Sequence, residues 1–497
     1  MYTHHSTTHT GVYVQLSQSG IDYITGIAQS IIPELIANYS IPPTESDGYK
    51  LNNLLIEEFT APNISATFAD GQGIEATITL PHAMIVGEFE GGFAFWSKSG
   101  KFKARVTELQ LRMVVTFTYN DTTKSADVEM PVCDGATHQV LIAFGGGWST
   151  VLNALRLFLA EYLTQQLDNI LCYLTMLATK QLSQEIAHQQ RTFEENELPE
   201  DLNAPPKITS NMLCGAAEFT TPKRNKKWRR KFSDFGINFT LLGDPTFTST
   251  HAMVPFHGGI TYRGLVPLQV HRSTVHAFPW GERMATFVVS EYTPNTFFNH
   301  VWAQGLGQVY AALRVRDLPQ LLRKAIEFFC FGCELRLLAG LTDAPALTVT
   351  PDRGVSLYIQ GKVRLIFDGP FKQFDVVTAS TGLTITVKPY VEHGTVYGKI
   401  DLDSVDVSVE ELGVSGLVGD TVGKAMKFLV PRKLWPQVKR KLKFALDRKG
   451  MKLPVVCGLE LKRTQLRYVD HALVIDTDLE YDATSFVKKF SSPDKDV

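Results

Sequence analysis

The sequence predicts an α+β protein built twice from the same parts, a half-buried antiparallel meander set against amphipathic helices. Three observations carry this. Apolar residues recur at steps of three and four from Gly145 to Ile186. Apolar and polar residues alternate before that, from Ile74 to Thr118. The order helix, meander, long helix then returns, offset by roughly 270 residues, which is too long for a solenoid repeat and reads as a duplicated domain.

The Gly145–Ile186 stretch is the organising element. Trp148, Leu152, Leu155, Leu159, Leu163, Leu167, Ile170, Leu171 and Leu174 form the stripe of an amphipathic helix. Ser149 or Thr150 can cap it, and no proline interrupts before Pro199. At 1.5 Å per residue it would run roughly 60 Å. Arg156, Glu161 and Asp168 break the other face, which excludes a membrane span. The Gly145-Gly146-Gly147 start fits an anion site or a flexible helix start, and the second is favoured.

The meander before it supplies a cover with one buried face, and its composition places turns at Glu90-Gly91-Gly92 and Lys98-Ser99-Gly100. A shorter helix comes earlier, Gln18 to Ala37, with Ile21, Ile24, Ala28, Ile31, Ile32 and Leu35 on one side and Pro33 in its last turn. Gly20 and Gly26 thin its early turns.

Arg191 to Lys207 is acidic, then proline-rich, and reads as a linker. The basic run after it holds Lys223, Arg224, Lys226, Lys227, Arg229 and Arg230 around Trp228. It suits phosphate contact at a membrane surface, or is a solvated loop facing the acidic linker. Strands are expected at Gly236–Leu242 and His257–Val270. A helix follows from Tyr292 to Leu313, with Phe297, Phe298, Val301, Trp302 and Val309 for burial. Alternation resumes from Leu347 to Val409. Leu417 to Leu446 is a helix broken at Pro431, bearing Lys439, Arg440 and Lys441 as a second basic segment. A strand pair closes the chain, Val455–Leu461 and Ala472–Tyr481.

A net charge of −2 over 497 residues gives no overall basicity for nucleic acid, and 44% hydrophobic content is ample for large cores. No signal peptide or transmembrane run is present, so the chain is expected to be a mature secreted form or an intracellular protein. His4, His5 and His9 lie in a polar lead rather than a metal site. No nucleophile elbow, phosphate-binding loop, H-E-x-x-H or paired metal-spaced Cys/His cluster occurs, so no catalytic residues and no metal or other cofactor are expected. Cys330 and Cys333 fit a redox pair, half a zinc site or buried cysteine, and a lone C-x-x-C among phenylalanines favours the last. Sequons at Asn38, Asn63, Asn120 and Asn238 permit glycosylation.

The segment Val14 to Tyr23, with Gly20 in place, resembles the opening of the bactericidal/permeability-increasing protein family, which includes lipopolysaccharide-binding protein and the plasma lipid-transfer proteins. Ser290, Glu291, Tyr292, Asn295 and Thr296 match a second signature of that family, S-[DE]-Y-x-x-N-T, and Gly450, Leu453 and Pro454 match its closing G-x-x-L-P. The likeness runs from about Gly11 to Asp482, in order.

The resemblance implies a boomerang of two tandem barrels, each a curved antiparallel sheet wrapped on a long and a shorter helix, joined by a central sheet. It implies a flexible lead at 1–10, an N-terminal barrel at 11–205, linker and central strands at 206–285, a C-terminal barrel at 286–482 and a tail. It also implies a Cys133–Cys172 disulfide, a secreted location, and an apolar pocket in each half holding a phospholipid or other two-tailed lipid.

The helical stripes read as dry core or as slots for lipid tails, and the resemblance tips the balance to the second. Gly20, Ile24, Ala28, Ile31, Leu163, Leu167, Ile170 and Leu171 then line the first pocket, with acyl chains entering between the two helices near Gly20 and Leu171. Phe298, Val301, Trp302, Gly305, Met426, Leu429 and Val430 line the second. Lipopolysaccharide, with the antimicrobial role it implies, is the alternative ligand. Family members that bind it carry lysines on hairpin tips where Glu88 and Glu90 stand here, and Lys98, Lys101 and Lys103 restore only part of the charge. A third reading is a structural rod with vestigial pockets.

Overall fold

The computed structural model describes residues 10–36, 40–41, 44–46, 49–93, 96–122, 125–144, 156, 160, 172, 235–267, 270, 281, 283–313, 320, 323–324, 334–368, 373–412, 426–453 and 459–481. The long-helix stripe outside 156, 160 and 172, the acidic linker, the basic run at 223–230, and Cys214, Cys330, Cys333 and Cys457 lie outside them.

Strand β1 (Val12–Ser17) runs straight into α1 (Gln18–Ile36), which carries Pro33 inside its last turns. The first-half strands follow: β2 (Ser40–Ile41), β3 (Thr44–Ser46), β4 (Tyr49–Phe59), β5 (Asn63–Ala69), β6 (Gly73–Phe93), β7 (Trp96–Asn120) and β8 (Ser125–Phe144). They pair antiparallel in the order β2-β4-β6-β7-β8, with β3 on β4 and β5 on β6. Alternation sorts the two faces, as its period of two requires. Phe102, Ala104, Val106 and Leu109 are buried, while Lys101, Lys103 and Arg105 between them are exposed.

The expected turns are corrected. Glu90, Gly91 and Gly92 are in β6, paired with Ser99, Lys98 and Ser97 of β7, and the hairpin closes between Phe93 and Trp96. Two glycine-bearing stretches flank the Phe93–Trp96 closure, so each resembles a turn although they lie on paired strands. Pro81 lies inside β6 where that strand changes neighbour, from β5 (Asn63↔Thr79) to β4 (Phe59↔Ala83). A residue without N–H is tolerated at such a seam.

After the linker come β9 (Phe235–Ile237), β10 (Thr246–Phe247), β11 (His251–Phe256), β12 (Ile260–Tyr262), β13 (Ala285–Ser290) and α2 (Tyr292–Ala303). The expected strands at Gly236–Leu242 and His257–Val270 are thus shorter, and β11 lies in the gap between them. The expected helix Tyr292–Leu313 is also corrected. It ends at Ala303, a turn bends the chain through Gly305 at φ 62°, and Val309–Leu313 is strand β14. Left-handed backbone at glycine stops a helix, and β-branched and aromatic residues then suit a strand.

The second-half sheet runs β14, β15 (Glu334–Leu341), β17 (Gly354–Asp368), β18 (Gln373–Glu392), β19 (Thr395–Leu412), β20 (Met451–Lys452), with β16 (Ala346–Thr350) on the edge of β17. Between β19 and β20 the chain is helical at 426–429, forms a π turn over Val430–Leu434, continues as α3 (Trp435–Leu442) and widens again over Lys443–Lys449. The break expected at Pro431 is this first wide turn: a residue that cannot donate is carried without ending the helix.

A six-stranded central sheet joins the halves in the order β10-β11-β1-β13-β22-β21, completed by β21 (Leu459–Val469) and β22 (Ala472–Tyr481). The first strand of the closing pair therefore runs well past the expected Leu461. β13 is buried throughout, as is β22 from Ala472 to Leu479, so both read as continuous rather than alternating runs.

At the β1–β13 pair the two halves mirror each other. Ser17 N donates to Met284 O at 3.0 Å, and Ser290 N donates to Gly11 O at 2.8 Å. The same carbonyls accept from Ser17 Oγ at 3.1 Å and Thr293 Oγ1 at 3.2 Å. The duplication seen in the sequence is thus matched in the hydrogen bonding of its two strand-to-helix junctions.

Candidate functional site

In the first half the apolar face of the meander is the base of the site. Leu54, Leu80, Ile85, Phe89, Phe102, Val106, Leu109 and Ile142 form one buried cluster, and Ala160 of the long helix packs against it. Cys172, also helical, is fixed to β8 by a disulfide to Cys133 with Cα atoms 5.9 Å apart. Residues 160 and 172 thus bear on one sheet.

The short helix sits differently. Ile21 packs with Ala66, Phe68, Phe247 and Ala252. Gln18 Nε2 donates to Ala66 O at 2.7 Å, and Gln29 Nε2 to Ile64 O at 3.1 Å. These carbonyls belong to β5, which among the described residues pairs with β6 alone, and α1 lies along its other edge. In the second half Asn295 of α2 does the same for β16, donating to Leu347 O at 2.9 Å and accepting from Leu347 N at 2.7 Å.

Gly20 does not leave volume beside α1. A Cβ there would lie 2.4 Å from Met284 O, so the absent side chain is what lets the helix meet the central sheet. Gly26 faces open space, with nothing within 4 Å of a Cβ. Ile24 is 37% exposed and Ala28 is half-buried. The side chain of Ile31, and Leu163, Leu167, Ile170 and Leu171, lie outside the described residues.

In the second half the named residues divide between two buried clusters. Phe298 packs with Leu347, Leu357, Ile385 and Leu442. Met426, Leu429 and Val430 pack with Val309, Leu335, Leu337, Val363 and Leu434. Val405 of β19 and Val438 of α3 touch both clusters; Val405 is one alternating valine among many in the sequence, whereas Val438 lies on the apolar stripe expected for the Leu417–Leu446 helix. Val301 is half-buried, Gly305 is in the exposed turn, and the indole N–H of Trp302 donates to Thr342 O at 3.2 Å.

The cations also divide. Lys439 and Arg440 are exposed on α3, whereas Lys441 Nζ turns inward to Leu306 O at 2.9 Å and to Gln308 O, holding the turn that ends α2. On the first-half hairpin Lys101 pairs with Glu88 at 3.6 Å and Lys103 with Glu57 at 2.7 Å.

His300 of α2 is buried between Phe235 and Tyr262, its Nε2 3.2 Å from Ile260 O. Burial pushes its imidazole below the ordinary value against the pull of the Ile260 and Leu265 carbonyls. Among the described residues no helix is long and apolar enough to cross a membrane, and no three His, Cys, Asp or Glu stand where they could hold a metal ion.

Comparison with known proteins places this arrangement. A model of the N-terminal domain of the LBP / BPI / CETP family matches residues 16–184, and the model of its C-terminal domain matches residues 230–481. The protein "Nose resistant to fluoxetine protein 5" of Caenorhabditis elegans is 30% identical over 516 aligned residues, covering 97% of this chain and 91% of that one. The "BPI fold-containing family C protein" of Mus musculus is 23% identical over 223 residues, 42% of this chain and 44% of that one. The crystal structure of lipopolysaccharide binding protein superposes with a TM-score of 0.55 at 15% identity, over 96% of this chain and 100% of that one, a likeness of fold.

Proposed function

The chain belongs to the LBP / BPI / CETP family, and from that premise we propose that it binds a phospholipid, or another two-tailed lipid, between the helices and the inner sheet face of each half and carries it between membranes outside the cell. The observation that carries this reading is where two helical residues of the Gly145–Ile186 stretch sit. Ala160 packs on the aliphatic and aromatic face of the first-half sheet, and Cys172 is tied to β8, so both are fixed over an apolar surface.

Such a site needs few polar anchors. A buried acyl chain gains roughly 0.8 kcal/mol per methylene, so two tails hold more strongly than head-group contacts on an otherwise aliphatic wall. Acyl chains enter the first half between α1 and the long helix. Gly26, with open space around it, replaces Gly20 as the thin point of α1.

Endotoxin binding is the weaker reading. Lys101 and Lys103 on the hairpin each face a carboxylate, which opposes recognition of lipid phosphates. Lipid mass spectrometry of the purified protein tests the proposal and is expected to find stoichiometric phospholipid. Ala28→Trp and Leu167→Trp should expel it while the circular dichroism spectrum is kept. Folded variants with a full lipid load would place the site elsewhere, and a lipid-free wild-type protein would favour the rod.

A further inference from the structure

We propose that the solvent face of α3 and its two flanking π turns is the surface by which this protein docks on anionic bilayers. Between Asp420 and Asp447 the sequence holds eight Lys or Arg and no Asp or Glu, in a chain whose net charge is −2. The structure sorts this stretch into two faces. Met426, Leu429, Val430, Leu434 and Leu442 are buried in the second-half core. Lys427, Arg432, Lys439, Arg440 and Lys443 are exposed on the opposite side.

Arg432 stands about two helical turns before Lys439, and the wide turn at Val430–Leu434 carries the helix through Pro431, so both cations are presented to solvent on one continuous helical stretch. Among the described residues no ion pair or side-chain hydrogen bond is formed by Lys427, Lys439 or Arg440. Lys443 pairs with Asp447 at 3.7 Å, so the net charge of this face rests on the other cations.

One aromatic side chain interrupts the charge. Phe428 is 38% exposed on this face, with the Arg432 guanidinium 3.9 Å above its ring. An aromatic ring flanked by cations suits the boundary between phosphates and acyl chains, where the ring enters and the cations stay with the head groups. Polynucleotide also attracts cations, but the helix is held flat on the sheet by its apolar side and by Lys441, and presents a broad face rather than a protruding helix. A planar anionic surface is therefore the occupant that fits.

The proposal gives the carrier a place to load and unload, and to that extent rests on the reading of the protein as a lipid carrier. Cargo measured in the same preparations keeps the two separable. The test is co-sedimentation of the full chain with vesicles of phosphatidylcholine alone and of phosphatidylcholine with about one-third phosphatidylserine, at low and high salt. Each cation near such a surface is worth about fivefold in partitioning. The triple variant Lys427→Gln/Lys439→Gln/Arg440→Gln should thus lose on the order of a hundredfold at low salt, and less as screening rises. Phe428→Ser should weaken binding several-fold without changing its salt dependence.

A charge-matched triple elsewhere, Lys101→Gln/Arg364→Gln/Lys388→Gln, should bind as wild type does. Loss of vesicle binding in the α3 triple with co-purified lipid unchanged supports the docking surface. The proposal is overturned if the wild type binds both vesicles equally or neither, if the two triples behave alike, or if polyuridylate binds and vesicles do not. Lipid-free protein that still docks through α3 would sink the carrier reading alone.

Discussion

Glu291 and His471, 180 residues apart in the chain, close a ring of hydrogen bonds that fastens α2 to the last hairpin. Glu291 Oε1 lies 2.8 Å from His471 Nδ1, and Glu291 Oε2 accepts from Val349 N at 3.2 Å. Glu291 N donates to His471 O, and His471 N to Val349 O. The Glu291 side chain is 10% exposed. Glu291→Ala should therefore leave the Val349 N–H buried and unpaired and cost about 2–3 kcal/mol in urea denaturation. His471→Ala should cost under about 1 kcal/mol, because its ring is half in water.

The two glycines of α1 should respond oppositely to the same change. Gly20→Ala forces a methyl group against Met284 O and should destabilise by roughly 1–3 kcal/mol. Gly26→Ala meets nothing and should stabilise by up to about 1 kcal/mol through helix propensity. Thermal midpoints of the two variants would decide; equal shifts would refute the packing described at Gly20.

His300 should make the fold acid-sensitive. Its imidazole is pushed below 6.5 by burial, so the unfolded chain takes a proton before the folded protein does. Stability is then full above pH 6.5 and declines as pH falls from there through the lowered folded value. His300→Gln should flatten that decline. His251, also lowered by burial, contributes in the same direction and sets the slope that remains.

The Cys133–Cys172 bridge spans 39 residues. Cross-linking a loop of that length is worth about 4 kcal/mol in the chain-entropy model. Cys133→Ser/Cys172→Ser should lower stability by about 2–4 kcal/mol, and reductant should have the same effect on wild type but none on the variant. The bridge should also matter to cargo, since it fixes the long helix over the meander, and co-purified lipid should fall in the double variant.

The parts of the fold readable in the sequence were those with a local period. Ile21 and its neighbours at three- and four-residue steps gave α1, and alternation through Phe102, Ala104 and Val106 gave the faces of the meander. The failures are equally local in origin. Val301, Gly305 and Val309 keep a four-residue step across the end of α2, so periodicity carried the helix into what is strand β14. The central sheet was harder still, because β13 and β22 are buried on both faces along nearly all their length, β10 has only two residues, and β1 pairs with β11 and β13 across hundreds of residues.

The signature around Glu291 was legible as a pattern, but its chemistry was not. Only the fold brings Val349 and His471 to that carboxylate and Leu347 to Asn295. Gly20 likewise reads in the sequence as open volume beside α1, and only the fold shows that the Met284 carbonyl fills it. For the second-half site the sequence offered apolar residues on two helices. The packing assigned Phe298 to one cluster and Met426 to another, a division along the length of β17 and β18, whose opposite ends the two clusters occupy.

The junction of β1 with β13 sets a timetable for the ribosome. Ser17 and the Met284 carbonyl it needs are 267 residues apart. At 5–20 residues per second, β1 emerges on the order of 10–50 s before its partner exists. The first-half hairpins can close within that interval, since each pairs neighbouring strands. β1 cannot, and waits as an unpaired strand beside a nearly finished domain. The chain's first strand is thus among the last to be placed, and until then its two open edges are the part of the nascent protein most in need of a chaperone.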